Sequence, residues 1–209
     1  MKNGFTIIEI TISIFVLSIA IIGIFNVLSI MVILTSDAAD RLVATYLAQE
    51  GMEIVRNIRD TNWLRMDFCK TSTCSPSPTW DDGLDCEQGC EAYYKTGTGD
   101  TGEFPMYPWT NGGRKLKINT SGFYEYDVAE PEPDTKFKRK IIITQVEDVD
   151  HLSNHIIKVT VQVSWDKRAT VLSVSYPAGD CQITGNCDPH NCIVSEATLY
   201  NWYPASVAP

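Results

Sequence analysis

The sequence predicts an α+β protein in which one long N-terminal helix packs against an antiparallel sheet of about four strands. Three observations lead to this prediction. An uncharged stretch from Ile10 to Ser36 is followed by apolar residues at helical spacing. The last third of the chain contains runs that alternate apolar and polar residues, and the middle is rich in Gly, Pro and Cys. The 209 residues are 44% hydrophobic, an ordinary fraction for a chain that folds.

The first half of the predicted helix is long and apolar enough to cross a membrane. Ile10 to Leu34 is 25 residues, which span about 37 Å at a rise of about 1.5 Å per residue. Lys2 precedes this stretch and Asp37 and Asp40 follow it, which favours a cytoplasmic N-terminus and an extracytoplasmic remainder. A removable secretory signal is the alternative, but the stretch is long for one and Glu9 lies at its start.

Apolar residues at steps of three and four extend the predicted helix beyond the membrane segment. These are Ala39, Val43, Tyr46, Leu47, Ile54 and Ile58. Because no proline precedes Pro76, nothing forces a break between Phe5 and about Asn62, and Gly23 and Gly51 are only weak points. We therefore expect a membrane half at residues 5–34 and an amphipathic half at residues 35–66.

Residues 67–135 are predicted to form a loop-rich region with short strands only. Aromatic residues within 107–109 and 123–126 are typical of strands. The sequences Asn-Gly-Gly at 111–113 and Ser-Gly at 121–122 indicate turns. Residues 136–209 carry the stronger strand patterns. The expected strands are Phe137–Val146, Ile156–Trp165, Ala169–Tyr176 and Ala197–Trp202. Turns at 148–151 and 165–168 would connect them into an antiparallel meander with one apolar face.

Acidic residues are concentrated in the middle of the chain. Residues 81–134 contain 4 basic and 12 acidic residues, so they supply −8 of the net charge of −9. The candidates for a calcium site there are Asp81, Asp82, Asp85, Glu87 and Glu91. Their spacing matches no calcium-binding loop, so a solvated acidic loop is favoured. Because no basic region dominates the chain, no nucleic-acid partner is expected.

The seven cysteines all follow the apolar segment. They are Cys69, Cys74, Cys86, Cys90, Cys181, Cys187 and Cys192. Beyond an N-terminal membrane segment, they indicate an oxidising exterior and disulfide bonds. The sequence leaves the pairing open, because Cys69–Cys74 and Cys86–Cys90 would close very small loops and longer-range pairs are equally compatible. An odd number leaves one cysteine over.

Neither a metal site nor an active site is expected. Cys187, His190 and Cys192 are of the types that bind zinc, but their spacing matches no common zinc motif, so disulfides are favoured. The chain contains no G-x-S-x-G or H-E-x-x-H motif. The sequence therefore predicts a protein that is not an enzyme and has no cofactor.

The N-terminal residues carry a family resemblance. Met1-Lys2-Asn3-Gly4 is a short basic leader ending in glycine, and Phe5-Thr6-Ile7-Ile8-Glu9 places glutamate at the fifth position after it. This pattern resembles the prepilin signature of type IV pilins and pseudopilins. The resemblance implies a leader peptide at residues 1–4, cleavage between Gly4 and Phe5 by a prepilin peptidase, and N-methylation of Phe5. Residues 48–56 are also similar to the same region of minor pilins.

The resemblance also gives Glu9 a role in assembly. Cleavage would create a positive amino group on Phe5, one helical turn from the Glu9 carboxylate. In a filament these charges can pair between neighbouring subunits. A buried pair adds little net stability, but a mismatched register leaves a charge unpaired. Phe5 and Glu9 are therefore the expected assembly residues.

The pilin resemblance implies a long helix bearing a cysteine-rich extracellular globular part, here termed the head, at residues 67–209. The head comprises a variable loop region at 67–135 and a sheet with a C-terminal loop at 136–209, and the family often has a disulfide near the C-terminus. The protein is then expected to be a single-pass membrane protein that enters an extracellular filament. Expected partners are the prepilin peptidase, other pilin subunits, an inner-membrane assembly platform and, before assembly, the lipid bilayer.

Three functional hypotheses follow. The first is a structural subunit of a type IV pilus-like filament, and a minor one, because the loop at 68–134 and the extra cysteine loop at 181–192 are large for a subunit repeated along a shaft. The second is a pseudopilin of a type II secretion or competence system. The third, from another class, is a monomeric membrane-anchored module whose head binds a ligand outside the cell.

Overall fold

A computed structural model of the chain describes residues 6–94, 105–126, 134–146, 156–167 and 191–201. One helix is described, α1 (Ile7–Thr71). The described strands are β1 (Cys86–Ala92), β2 (Met106–Pro108), β3 (Lys117–Ile118), β4 (Tyr124–Glu125), β5 (Phe137–Gln145), β6 (Ile156–Trp165) and β7 (Cys192–Tyr200). The chain divides into two compact units, Met1–Arg41 and Leu42–Pro209.

Helix α1 is 65 residues long and ends at Thr71, five residues beyond the end expected from the apolar pattern. The pattern of apolar residues on one buried face ends after Trp63, since the later apolar side chains Leu64 and Phe68 are exposed. Local interactions nevertheless continue the helix. Lys70 lies in the last turn, where a positive charge is favourable, and its Nζ is 3.1 Å from the Asp67 carboxylate. The predicted loop region therefore begins after Thr71.

The central sheet is antiparallel, with strand order β2-β1-β5-β6-β7. Strands β5, β6 and β7 are neighbours in chain order, with Ile141 opposite Val161 and Val161 opposite Ser195. The predicted antiparallel pairing of the first two strands is confirmed. The second strand was then expected to pair with the strand at 169–176, but β6 pairs with β7 on that side. The described sheet has five strands rather than about four, because β1 and β2 extend it beyond β5. A separate hairpin pairs β3 with β4.

Two of the four predicted strands are found within one residue of the expected bounds. The prediction for Ile156–Trp165 is confirmed, and β5 ends at Gln145, one residue early. The last strand was expected at Ala197–Trp202 but is Cys192–Tyr200, because residues from Cys192 onward pair along β6. The predicted strand at 169–176, the turn at 148–151 and residue 168 of the second turn lie outside the described residues. Trp165, expected in that turn, is the last residue of β6.

The core lies between the sheet and the part of α1 that follows Arg41. The buried helix residues include Ala44, Leu47, Ala48, Gly51, Met52, Ile54 and Val55. The sheet contributes odd-numbered residues of two strands, Phe137, Ile141 and Ile143 from β5 and Ile157, Val159, Val161, Val163 and Trp165 from β6. Leu47 and Ile54 are buried as predicted. Tyr46 is instead exposed, because the buried stripe is centred on the small residues Ala44, Ala48 and Gly51.

Gly51 allows close contact between helix and sheet. A Cβ atom at this position would lie 2.9 Å from Val161 Cγ1 and 3.1 Å from Arg139 Cδ. Any larger side chain would therefore push the helix away from the centre of the sheet. The sequence interpretation of Gly51 as a weak point in the helix misses this packing role.

Candidate functional site: the N-terminal helix and the contacts of the second unit

The helix α1 begins at Ile7, two residues before Glu9. The Thr6 carbonyl accepts hydrogen bonds from the backbone amides of Glu9 (3.1 Å) and Ile10 (3.3 Å). Glu9 lies in the first turn, where a negative charge is favourable to the helix dipole. Gly4 and Phe5, the predicted processing residues, lie outside the described residues.

The surroundings of Glu9 are apolar. Ile7, Ile8 and Ile10 on either side are 83%, 67% and 49% exposed. The Glu9 carboxylate has no hydrogen-bond or ion-pair partner among the described residues. A carboxylate in an apolar medium is costly unless a cation neutralises it. This position therefore favours a positively charged partner from outside the described segment.

The helix from Ile7 to Leu34 exposes apolar side chains on every side. Nineteen large apolar residues in this stretch are exposed. Full burial of one such side chain is worth about 1.5–3 kcal/mol, so even partial burial of all of them exceeds the 5–15 kcal/mol net stability of a typical domain. Among the described residues, α1 is the one helix long and apolar enough to cross a membrane. Such a surface requires lipid or other apolar chains around it.

Disulfide bonds are present, and two of them close short loops. Cys69 is bonded to Cys74 and Cys86 to Cys90, with Cα atoms 5.5 and 5.8 Å apart. Cys192 is also disulfide-bonded. The prediction of disulfides is confirmed for these five cysteines. Cys181 and Cys187 lie outside the described residues, as does His190. No group of three potential metal ligands is found within the described part of the chain.

The acidic stretch is not uniformly solvated as predicted. Asp85 and Glu87 are exposed, but Glu91 is only 2% exposed because it lies in β1. Glu91 accepts a 2.6 Å hydrogen bond from Arg114 Nε and another from the Arg114 backbone amide. The Arg114 guanidinium also lies over the ring of Tyr126, 4.8 Å from its centre. Glu91 is therefore the buried member of an ion pair with the exposed side chain of Arg114, and not part of a candidate calcium site.

Arg139 is a fully buried cation at the centre of the second unit. Its Nη1 donates to the Leu47 carbonyl (3.1 Å) and its Nη2 to the Ala92 carbonyl (2.6 Å). Nη1 also lies 3.4 Å from the half-buried Glu50 carboxylate. These contacts join α1, β1 and β5. The sequence interpretation gave Arg139 no role within the expected strand Phe137–Val146. Its position two residues after Phe137 places both on one face of a strand, which could have indicated burial.

Tyr126 supports this buried group. Its hydroxyl donates a 3.1 Å hydrogen bond to the Arg139 carbonyl. Burial raises the pKa of Tyr126 well above its usual value near 10, so the phenol stays protonated at physiological pH. The pKa of Tyr124 is also raised, by burial and by the nearby Glu50 carboxylate. The Tyr126 phenol is thus a neutral donor beside the buried arginine.

The described fold is that of an α+β protein with a long helix that could cross a membrane and a disulfide-bonded second unit. Comparison of the chain with protein-family models, curated proteins and solved structures finds no match. The function is therefore inferred from the N-terminal motif and from the geometry of the described residues.

Proposed function

We propose that the protein is a structural subunit, and a minor one, of a type IV pilus-like filament. The observation that carries this proposal is Glu9, a carboxylate without a described partner at the start of a helix that is apolar and exposed on every side. The prepilin-like residues Met1 to Glu9 supply a partner for it. Removal of residues 1–4 would place a new cationic amino group at Phe5, one helical turn from Glu9.

The two charges then suit assembly between subunits. Each subunit offers one cation and one carboxylate at the start of a helix that is otherwise uncharged as far as Ser36. Pairing across neighbours neutralises both charges inside an apolar bundle, and any other register leaves them uncompensated. The partners of this function are a prepilin peptidase, an inner-membrane assembly platform and other pilin subunits, with the bilayer holding the helix before assembly. The function is structural and requires no catalytic residue.

Irregular surface elements support assignment as a minor subunit. Every surface of a major subunit repeats along the shaft and must fit several neighbours. The region after α1 contains two disulfide-closed loops and a separate β3–β4 hairpin outside the main sheet. A subunit placed at a tip or in an initiating complex has fewer neighbours and tolerates such elements. Quantitative mass spectrometry of sheared filaments tests this point, because a minor subunit must be far less abundant than the main pilin.

Processing is the direct test of the proposed function. Co-expression with a prepilin peptidase should yield a chain that begins at Phe5 and carries one added methyl group, as measured by intact mass. A Gly4→Val variant should remain uncleaved, since a branched side chain replaces the residue at the cleavage point. A mature chain that keeps Met1, or that begins near Asp37, would contradict the proposal.

A secretion or competence pseudopilin would be processed in the same way. Neighbouring genes for a retraction motor or for a secretion secretin distinguish these two systems. A monomeric binding module predicts something different, namely normal surface display and function in a Glu9→Ala variant. Loss of filament incorporation in that variant supports the filament assignment.

A further inference from the structure

The last turns of α1 and the loop that follows enclose an open cavity of about 520 Å³. Its lining residues are Thr61, Leu64, Arg65, Phe68, Cys69, Cys74, Ser75, Pro76, Pro78 and Asp82. This volume lies within the range of about 300–1,000 Å³ that is typical of ligand sites. We refer to it as the helix-end groove.

The walls of the helix-end groove are fixed in two places. The Cys69–Cys74 disulfide ties the last turn of α1 to the loop. Asn62, which is buried, donates from its amide to the carbonyls of Asp82 (2.8 Å) and Trp80 (3.2 Å). Because the groove is held open by covalent and hydrogen bonds, little conformational freedom is lost when it is occupied.

The floor of the groove is apolar and exposed. Leu64 and Phe68, four residues apart on one face of α1, are 72% and 66% exposed. Pro76 and Pro78 face the same space from the loop. Large apolar side chains that remain exposed next to one another on a rigid surface are typical of interaction sites.

Arg65 supplies a positive charge that has no ion-pair partner in the described part of the chain. The other basic residues of α1, Arg41, Arg56, Arg59 and Lys70, each form an ion pair with a carboxylate of the same helix. Arg65 forms none with the described residues, since no acidic residue lies one, three or four positions away from it. The Asp82 carboxylate at the wall already accepts hydrogen bonds from the Thr79 amide (2.9 Å) and hydroxyl (2.7 Å).

We propose that the helix-end groove binds an acidic peptide segment of a partner protein. One carboxylate of the peptide pairs with the Arg65 guanidinium, whose planar fork matches a carboxylate. A neighbouring aliphatic or aromatic side chain of the peptide covers Leu64 and Phe68. This inference does not depend on the filament proposal.

A peptide carboxylate fits this groove better than a lipid surface or a nucleic acid does. Polyanionic surfaces are bound by clusters of Lys and Arg. Here a single guanidinium lines the groove together with the Asp82 carboxylate, in a chain of net charge −9. One carboxylate on an apolar segment balances one cation without adding repulsion.

The test uses the full chain in detergent micelles and an array of blocked hexapeptides. Each peptide places one Glu beside Leu, Phe, Trp or Pro, and each has a counterpart with Gln. We expect at least one Glu peptide to bind at least tenfold more tightly than its Gln counterpart. Arg65→Gln should remove that difference, whereas Lys70→Gln, which alters a paired cation of the same helix, should keep it.

Two further variants separate the roles of the floor and the walls. Leu64→Ser with Phe68→Ser should weaken the binding of the Glu and Gln peptides alike. Cys69→Ser with Cys74→Ser should also weaken binding, because the groove loses the covalent bond that holds its walls in place. The proposal is overturned if no peptide of the array binds, if Glu and Gln peptides bind equally, or if Arg65→Gln binds as well as the unaltered chain. Displacement of the peptide by glycerol phosphate more readily than by acetylglutamate would also overturn it, in favour of a lipid headgroup.

Discussion

The guanidinium of Arg139 donates a 3.1 Å hydrogen bond to the backbone carbonyl of Leu47, which lies 92 residues earlier in the chain. A helix carbonyl ordinarily accepts only from the amide four residues later. This contact therefore uses the second acceptor site of a carbonyl inside α1 and fixes the position of the helix along β5. A slip of the helix by one residue would leave the buried guanidinium without this acceptor. It would also change the distance between the guanidinium and the Glu50 carboxylate.

Removal of this cation should destabilise the second unit strongly. Arg139→Met keeps much of the volume but leaves the Ala92 carbonyl and the Glu50 carboxylate without their partner. We expect a loss of about 2–3 kcal/mol in the free energy of unfolding, since an unsatisfied buried polar group costs about 1–3 kcal/mol. Urea unfolding of the full chain in micelles measures it. Lys138→Met, on the neighbouring and partly exposed position of β5, is the control and should cost less than about 1 kcal/mol.

A methyl group at Gly51 should bring no gain in stability although it raises helix propensity. Ala is better than Gly in a helix by about 1 kcal/mol. Overpacking against the fixed methyl groups of Val161 costs about 1–3 kcal/mol, so Gly51→Ala should be neutral to destabilising by about 2 kcal/mol. Gly23→Ala is the matched control, because no atom lies within 4 Å of its added Cβ. A clear gain in stability for Gly51→Ala would contradict the close packing described here.

Stability should fall at alkaline pH through Tyr126. Because its pKa is raised in the folded state, the unfolded chain loses the phenolic proton first, above about pH 10. The contribution of the neutral phenol is therefore complete below pH 10 and is lost as the pH rises towards the folded pKa. Tyr126→Phe should cost about 1 kcal/mol at pH 7 through loss of the bond to Arg139, but should decline less steeply above pH 10. Tyr46→Phe, at an exposed position of α1, is the control variant.

The disulfide bonds of the described cysteines lead to an expected number of free thiols. Cys69, Cys74, Cys86, Cys90 and Cys192 are disulfide-bonded, and the partner of Cys192 makes a sixth. Subtracting six from the seven cysteines leaves one. Titration of the denatured, unreduced chain with Ellman's reagent should therefore give one thiol per chain. Several free thiols together with stoichiometric zinc would show that the cysteines bind metal instead.

Incorporation into filaments should depend on the charge of Glu9. Glu9→Gln keeps the size and helix propensity of the side chain but removes the carboxylate. Under the proposed function, cleavage and membrane insertion should continue, while the ratio of filament to membrane protein falls at least tenfold. Glu53→Gln is the control, because Glu53 is an exposed carboxylate of the same helix that pairs with Arg56. Equal incorporation of both variants into filaments would show that assembly does not depend on the Glu9 carboxylate.

The regular elements could be predicted because their patterns are local. Strand β6 alternates Val159, Val161 and Val163 with polar residues, and this period identified both of its ends. The long helix followed from an apolar run without proline. By contrast, β1 has the sequence Cys-Glu-Gln-Gly-Cys-Glu-Ala, which lacks β-branched residues, and its place beside β5 depends on long-range pairing.

The functional details depend on contacts that composition does not encode. The pairing of Cys69 with Cys74 could not be predicted without knowing where the helix ends. The helix continues to Thr71, and the chain after it brings Cys74 next to Cys69. The role of Arg139 required knowing that its side of β5 faces α1. Gly51 was recognisable only as a poor helix former, since the approach of Val161 is a property of the folded sheet. The helix and strands could thus be predicted from local patterns, whereas the roles of Cys69, Arg139 and Gly51 depend on tertiary contacts.

The hydroxyl groups of the apolar helix have a consequence for how such helices recognise one another. The hydroxyls of Thr11, Ser13, Ser18, Ser29 and Thr35 all bond to carbonyls three or four residues earlier in the same helix. From Ile7 to Thr35 this leaves Glu9 and Asn26 as the side chains with polar groups not engaged in this way. A neighbouring helix would therefore find directional contacts at only two heights along about 42 Å of surface. Replacing isoleucines of this segment with other aliphatic residues should leave the axial spacing of an assembly unchanged. Moving either polar group by one turn should shift that spacing.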